Sequence, residues 1–258
     1  MKEPIIVIGI GEMGGVFTRG FLRTEHPVYP VSRRMDMKQI AKSTPDPTLV
    51  LVAVGENDLH PLLEQIPAQW RDKLGLLQNE LLPRDWREHK ISDPTVIAVW
   101  FEKKKGQDYK VLIPSPAFGP RATLLESALE SLEIPCWELS SAAELEFELV
   151  RKNVYILTTN ITGLVVGGTV DELWTQHQDL AREVAGEVMD VQAWLVGHHL
   201  ERERLVDGMV EAIQGDLQHK CMGRSAPARL TRAIGHADEA ELKVARLREI
   251  YATKIVGN

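Results

Sequence analysis

Near its amino end the sequence reads Ile5-Ile6-Val7-Ile8-Gly9-Ile10-Gly11-Glu12-Met13-Gly14-Gly15. The apolar run predicts a short buried strand, and Gly9, Gly11 and Gly14 then form a G-x-G-x-x-G pattern ahead of a helical segment. Gly9 allows a tight turn, a side chain at Gly11 would hold the backbone away from a pyrophosphate, and Gly14 lets helix and strand pack closely. Phosphate is favoured by the helix N-terminus. We predict a dinucleotide site contacted by Gly9, Ile10, Gly11, Glu12, Met13 and Gly14; the alternative is an ordinary glycine turn.

Composition sets the broad class. The chain has 258 residues, 44% hydrophobic and 26% charged, which suits one large or two smaller globular domains. A net charge of −7 argues against nucleic-acid binding. The two cysteines, Cys136 and Cys221, exclude a disulfide framework. No apolar run approaches the ~20 residues of a membrane span, and no signal-peptide pattern is present. We therefore expect a cytoplasmic protein that contacts neither nucleic acid nor membrane.

The end of the second predicted strand indicates the cofactor. Residues 27–31 read as this strand, which runs into Ser32-Arg33-Arg34, about 20 residues beyond the glycine pattern, where the adenosine ribose should lie. An NAD-selective site would place Asp or Glu there. Arginine binds phosphate in a bidentate fork, so this sequence favours the 2′-phosphate of NADP; the alternative is a pair of solvated loop charges. We also assign Val54 and Gly55, at the end of the next strand, to the cofactor site.

The remaining pattern predicts an α/β fold with a mainly parallel sheet, followed by an all-helical domain. Predicted strands at 48–54, 75–78, 95–101, 110–113 and 135–139 alternate with helices at 59–66 and 121–132, and residues 103–106 read as a hairpin turn. After residue 140 the spacing is helical, with apolar stripes along 171–196 and from Val206 to Leu217. We predict a dinucleotide-binding domain at 1–139 and a helical domain at 140–258.

This layout resembles the 6-phosphogluconate-dehydrogenase-like superfamily, in which a Rossmann domain precedes a helical domain. Local features resemble its ketopantoate reductase (2-dehydropantoate 2-reductase) branch. Leu77-Gln78-Asn79 is similar to the family's strand-end His/Gln-Asn-Gly, with Glu80 in place of the glycine. The resemblance implies that Asn79 lies near the nicotinamide and the substrate.

The resemblance also implies the catalytic residues of the helical domain. In the stretch 151–160, Lys152 matches the family's general-acid lysine and Asn160 the second of two asparagines, whereas Ile156 takes the place of the first. Val170-Asp171-Glu172-Leu173 resembles the family's Asn-Gly-Glu-Leu.

The family's C-terminal signature, which holds the substrate carboxylate and hydroxyl, matches less well. Ser225 matches its serine, Arg229 stands where an aspartate is expected, and Glu239 matches its glutamate with different spacing. By the resemblance, Ser225 and Glu239 are candidate substrate-binding residues.

Chemistry at these positions fits the reduction of a carbonyl. Lys152 could stabilise the alkoxide that develops on a reduced 2-oxo acid and donate the proton, while Asn79 and Asn160 orient the reactants. Each has an alternative: Lys152 could pair with Glu148 on the helix surface, and Asn160 and Ser225 could be ordinary polar residues. We predict an NADPH-dependent reductase of a small 2-oxo acid or a related carbonyl compound that forms a homodimer through its helical domain. An NADP-binding protein without catalysis and a dimerising interaction module are the alternatives.

A metal site is not predicted. His198-His199 lies beside Glu201 and Glu203, but adjacent residues on a helix point in different directions and do not easily face one ion.

Overall fold

The computed structural model describes residues 2–257 and divides into two compact units, Met1–Leu149 and Val150–Asn258. The division falls inside a long helix, ten residues beyond the boundary expected from the sequence. The first unit is α/β and the second is helical, so the predicted fold class is confirmed. Within the described range, no helix combines the length and apolar character needed to cross a membrane.

The first unit is built on a seven-stranded sheet, as far as the described residues go, with strand order β2-β1-β3-β4-β5-β8-β9. Neighbouring strands are parallel except for β5 and β8. The strands of this sheet are β1 (Ile5–Ile8), β2 (Val28–Val31), β3 (Leu49–Val52), β4 (Leu74–Leu76), β5 (Thr95–Ile97), β8 (Ser115–Phe118) and β9 (Cys136–Glu138). Every residue of β1 and β3 is buried, as expected for central parallel strands with both faces covered.

A separate hairpin, β6 (Phe101–Lys103) and β7 (Tyr109–Val111), is antiparallel, which confirms the turn predicted at 103–106. The ammonium of Lys103 lies 3.2 Å from the Glu12 carboxylate, and the lysine side chain is mostly buried.

Helices follow the strands of the first unit, and α1 and α5 pack against one another. Their bounds are α1 (Glu12–Arg23), α2 (Met37–Ser43), α3 (Leu59–Gln65), α4 (Pro83–Arg87) and α5 (Ala122–Glu130), with 3-10 turns at Glu56–Asp58 and Ala68–Lys73. The core of the unit includes Phe17 and Phe21 of α1, whose rings lie 6.2 Å apart, together with Ile5, Val7 and Leu125.

The second unit contains helices and, within the described residues, no strand, as predicted for the region after residue 140. The helices from the division onward are α6 (Ala142–Val166), α7 (Val170–Gln176), α8 (Gln178–Val196), α9 (Arg202–Gly215), α10 (Ala226–Glu239) and α11 (Ala245–Tyr251). A π-helical turn at Ala252–Val256 ends the described chain. Thr169 caps α7 by accepting from the Glu172 amide, and the Glu172 carboxylate accepts from the Thr169 amide, which is a capping box.

Two predicted apolar stripes are corrected. The stripe along 171–196 is divided between α7 and α8 at His177, where the backbone leaves the helical region with φ −132°. The second stripe ends earlier than predicted, because α9 stops at Gly215 and Leu217 lies beyond it with 44% of its surface exposed.

Candidate functional site

The candidate site is a cavity of about 710 Å³ in the first unit. It lies at the carboxyl ends of β1 and β3, which are neighbours in the sheet although β2 lies between them in sequence. The strand order changes direction at this point, and open α/β sheets bind ligands in the crevice outside such strand ends. The lining includes Ile8, Gly9, Ile10, Gly11, Val31, Ser32, Arg33, Arg34, Val54, Gly55 and Asp58.

The three glycines of the amino-terminal pattern have different surroundings. Gly9 has φ +93°, and a Cβ on it would lie 2.5 Å from the carbonyl oxygen of Ala53. A Cβ on Gly14 would lie 2.0 Å from the carbonyl oxygen of Gly9, so this glycine lets α1 pack against the end of β1. A Cβ on Gly11 would meet no atom within 4 Å. The protein itself therefore does not require glycine at position 11, whereas it does at 9 and 14.

Gly11 is also the N-cap of α1. It has extended backbone, φ −73° and ψ −166°, and its lack of a side chain leaves the first amides of the helix without a side-chain cap. Those amides are the donors with which a helix N-terminus binds phosphate. Glu12 and Met13, the next predicted contacts, lie in the first turn of α1 outside the cavity lining, and the Glu12 charge is offset by Lys103.

At the end of β2, Ser32, Arg33 and Arg34 line the cavity. The Arg33 guanidinium is 88% exposed and donates a 2.9 Å hydrogen bond to the carboxylate of Asp58, which follows β3. An acid therefore does reach this part of the cavity, although it comes from a loop 25 residues further along the chain than the arginine. Arg34 is exposed.

Gln78 holds the ends of β3 and β4 together. It is buried, and its amide nitrogen donates to the carbonyls of Val52 at 2.7 Å and Val54 at 3.4 Å, while its oxygen accepts from the Leu77 amide. No local sequence pattern indicates this role of the Gln78 side chain. Asn79, half-buried, follows it directly, and the next residue, Glu80, has φ +62°. The family pattern has glycine at that position, which suits a left-handed backbone.

In the second unit, Lys152 is only 3% exposed, and Glu148, its candidate partner, is also buried. The lysine therefore does not lie on the helix surface. Asn160 lies two turns further along α6, about 12 Å at 1.5 Å per residue. Between them, Ile156 is half-buried.

The side chain of Asn160 is engaged at both ends. Its amide nitrogen donates to the carbonyl of Cys221 at 3.1 Å, and its oxygen accepts from the guanidinium of Arg229 at 2.9 Å. Arg229 is itself buried, in α10. Arg229, which departs from the family pattern, therefore binds Asn160, which matches it. The two residues are 69 positions apart, so no local sequence pattern could indicate this contact.

The two predicted substrate-binding residues, Ser225 and Glu239, are exposed. Ser225 is the N-cap of α10 and makes no side-chain capping bond, and the carboxylate of Glu239 lies 3.9 Å from His236 near the end of the same helix. Ser225 and Glu239 thus lie at opposite ends of α10, about 21 Å apart at 1.5 Å per residue.

Comparison with solved structures identifies the fold. The 2-dehydropantoate 2-reductase from Methylococcus capsulatus matches with a TM-score of 0.67 at 16% identity, covering 97% of this chain and 95% of that one. A dimeric ketopantoate reductase from Staphylococcus aureus matches with a TM-score of 0.69 at 14% identity, covering 98% of both chains. The D-mandelate dehydrogenase complex with NADH also has a TM-score of 0.69, at 13% identity, covering 100% of this chain and 98% of that one.

These likenesses span nearly the full length of both chains and establish that the protein has the fold of the ketopantoate reductase structures. The sequence matches no protein-family model and no curated protein.

Proposed function

We propose that the protein is an NADPH-dependent reductase of a small 2-oxo acid. The observation that carries the proposal is the cavity at the ends of β1 and β3, which is lined by the glycine turn, by two arginines and by the end of β3. The matching solved structures include a 2-dehydropantoate 2-reductase and a D-mandelate dehydrogenase with NADH, which supports this reaction class.

The cofactor fits the residues that are present. Gly11 leaves an open space beside the uncapped first turn of α1, where a pyrophosphate would accept from backbone amides. Gly9, Ile10, Val54 and Gly55 would supply the walls beside it. The nicotinamide, when bound, supplies the hydride.

The choice of NADP rests on Ser32, Arg33 and Arg34. Arg33 pairs with Asp58, but this pair is exposed, and exposed ion pairs contribute about 0–1 kcal/mol. A charge-assisted hydrogen bond to phosphate contributes about 1.5–3 kcal/mol. A 2′-phosphate is therefore expected to displace Asp58 from Arg33, with Arg34 and the Ser32 hydroxyl as further donors.

For catalysis we propose that Lys152 stabilises the developing alkoxide and donates the proton to it. A buried ammonium is suited to both tasks, because the charge interaction is stronger where water is excluded. Asn79, at the end of β4, would orient the carbonyl. Substrate binding is proposed for Ser225 and Glu239, whereas Asn160, held by Cys221 and Arg229, would act by fixing the local structure of α6.

One experiment tests the proposal. NADPH and NADH oxidation is followed with a panel of 2-oxo acids that differ in side-chain size and polarity, with ketopantoate as one member, and cofactor binding is measured by fluorescence in the same samples. We expect tighter binding of NADPH and turnover of at least one acid. Absence of binding by either cofactor would contradict the proposal.

Binding without turnover would favour the second candidate, an NADP-binding protein that has lost catalysis. The observation that supports this candidate is the engagement of Asn160 by Arg229, together with Ile156 at a polar position of the family. Under that function, the cofactor would act as a sensed or structural ligand.

We also propose that the protein forms a homodimer through its helical unit. One of the matching structures is a dimeric reductase, which supports it. For the compartment we propose the cytoplasm, because Cys136 and Cys221 are both free thiols.

A further inference from the structure

Two histidines and a glutamate converge between α3 and α4, outside the lining of the cavity. The Nδ1 atom of His60 lies 2.7 Å from the Glu88 carboxylate and 2.9 Å from Nε2 of His89. The Nε2 atom of His89 lies 3.6 Å from the same carboxylate oxygen. The imidazole rings are inclined by 37° with their centroids 5.2 Å apart, so that their nitrogen edges meet.

The topology of the sheet explains why residues so far apart in sequence meet here. His60 is the second residue of α3, which follows β3, and Glu88 and His89 follow α4, which comes after β4. Strands β3 and β4 are parallel neighbours, so the segments that follow them both begin at the carboxyl ends of the strands, on the same side of the sheet. The positive φ of Lys90 turns the chain just after His89.

We propose that His60, Glu88 and His89 bind a divalent transition-metal ion of the zinc class. Ligand atoms bound at ~2.0–2.1 Å stand about 3.3 Å apart in a tetrahedron. The three observed separations, 2.7, 2.9 and 3.6 Å, bracket that value without any change of backbone. Two imidazoles and one carboxylate are a donor set that zinc prefers, and a three-residue set leaves a fourth position for water.

The surroundings of the cluster support a built site. The other ring nitrogen of His60 faces the carboxylate of Asp85 at 4.0 Å, which is longer than a hydrogen bond, and metal-binding histidines characteristically have a carboxylate on this side. Asp85 is itself fixed, because its second oxygen accepts from the Leu82 amide at 2.7 Å. Arg71 holds the loop by donating to the carbonyls of Leu63 and His89.

The site is also accessible. About half of the side-chain surface of both His60 and Glu88 is exposed, so an ion can enter from solvent, whereas His89 is 11% exposed and anchors the site on the inner side. An ion here would link α3 to the end of α4. This proposal does not depend on the reductase activity.

Zinc binding by the untagged full-length protein, stripped with EDTA and then desalted, tests the site. Zn²⁺ is titrated in competition with a chromophoric chelator, and Co²⁺ is titrated separately to read its visible absorption bands. We expect one ion per chain and the intense Co²⁺ bands of four-coordinate geometry. Failure of the parent protein to bind either ion would overturn the proposal.

The variants assign the ligands. The double variant His60→Ala, His89→Ala should lose the binding, whereas His26→Ala, a half-buried histidine of the same unit, should retain it. Retention of stoichiometric binding by the double variant would also overturn the proposal. Circular dichroism of the metal-free proteins tests whether the variants are folded. Glu88→Gln keeps the side-chain shape but removes the carboxylate charge, and we expect it to weaken Zn²⁺ binding.

Asp85 has a positioning role in this site, and Asp85→Asn tests it. Asparagine retains an oxygen that can accept from the Leu82 amide, while it removes the charge facing His60. We expect about 10-fold weaker Zn²⁺ binding with an unchanged melting temperature of the metal-free protein. Unchanged affinity would overturn this role.

Discussion

Arg33 and Asp58 form an exposed ion pair in the lining of the cavity, at the position proposed for the 2′-phosphate of the cofactor. In the structure the guanidinium donates to a carboxylate. Asp58 therefore competes with a 2′-phosphate for Arg33, but it does so from a solvated position where its contribution is small. In the proposed function, the preference for NADPH depends on the difference between these two interactions.

We predict that Arg33→Ala combined with Arg34→Ala removes the preference for NADPH over NADH. Loss of a charge-assisted contact of about 1.5–3 kcal/mol weakens NADPH binding by at least ~10-fold, while NADH binding changes little. Fluorescence titration measures both. The control, Arg19→Ala with Lys42→Ala, removes the same charge from exposed positions outside the lining. Equal affinity of the parent for both cofactors would contradict the prediction.

Lys152 is the residue on which the proposed chemistry depends most. We predict that Lys152→Met, which retains most of the buried volume, lowers turnover by ~100-fold or more, the range expected when a general acid is lost. NADPH affinity should change little. Steady-state kinetics and cofactor titration measure these effects, with the exposed Lys243→Met as control. Full turnover by the Lys152 variant would exclude the lysine as the proton donor.

Cys136 is predicted to be unreactive in the folded protein. Burial, with a smaller contribution from Glu126, raises the pKa of its thiol to about 12. Near neutral pH only a very small fraction is thiolate, so alkylation should be roughly 1,000-fold slower than for a thiol of ordinary pKa. The rate should rise about 10-fold per pH unit below that pKa.

Iodoacetamide labelling followed by peptide mass spectrometry measures this rate, with labelling in urea as the control. Cys221, whose pKa burial raises to about 11, should be protected in the same way. Labelling of native Cys136 at the rate found in urea would contradict the prediction.

At the scale of elements, the glycines at the junction of β1 and α1 differ in whether the fold or the proposed cofactor binding requires them. We predict that Gly11→Val abolishes NADPH binding while the protein remains folded, because a Cβ there would have no protein atom within 4 Å but would occupy the space for the pyrophosphate. The extended N-cap backbone of Gly11 is also one that valine readily adopts. Circular dichroism and NADPH titration on the same sample measure the two effects.

The neighbouring glycines provide matched controls. Gly15→Val should bind NADPH, since a Cβ at this exposed position would have no atom within 4 Å, and valine in a helix costs less than about 1 kcal/mol. Gly14→Val should instead destabilise the fold by at least about 1–3 kcal/mol, because its Cβ would overlap the Gly9 carbonyl. Retained NADPH binding by Gly11→Val would place the phosphates elsewhere.

The sequence predicts elements well where a hydrophobic pattern is strong and poorly where it is not. The apolar runs of β1 and β3 are found within two residues of their observed ends. Strand β8 is missed, because Ser-Pro-Ala-Phe has neither a β-branched run nor an alternation. Helices α2 and α4 are missed because they are short. The break at His177 is missed because the apolar spacing continues across it.

At the scale of the whole molecule, contacts between segments that are distant in sequence cannot be predicted from local sequence patterns. The glycine turn lies in one local stretch, so its geometry follows from a few residues. The Arg33–Asp58, Asn160–Arg229 and His60–His89 contacts each join segments that are far apart in sequence, and only the folded chain brings them together. The third of these contacts belongs to the proposed metal cluster, which no local sequence pattern indicates.

We predict a homodimer in solution. Size-exclusion chromatography with light scattering should give about twice the chain mass of 29.0 kDa, independent of concentration in the micromolar range. The basis is the dimeric reductase that shares this fold and the exposed apolar side chains of the second unit, among them Trp194. A mass of a single chain at every concentration would contradict the prediction.

The two edge strands of the sheet, β2 and β9, affect how copies of this protein can associate. The carbonyls of Pro27, just before β2, and of Val31, at its end, accept from the amides of Ile5 and Gly9. The alternate residue Pro30 therefore faces the free edge, where it offers no amide hydrogen. The opposite edge, β9, spans only Cys136–Glu138 and ends in an exposed carboxylate. Short, proline-bearing or charged edges are poor templates for strand addition. Extension of the sheet from copy to copy, the first step toward amyloid-like aggregation, is therefore disfavoured.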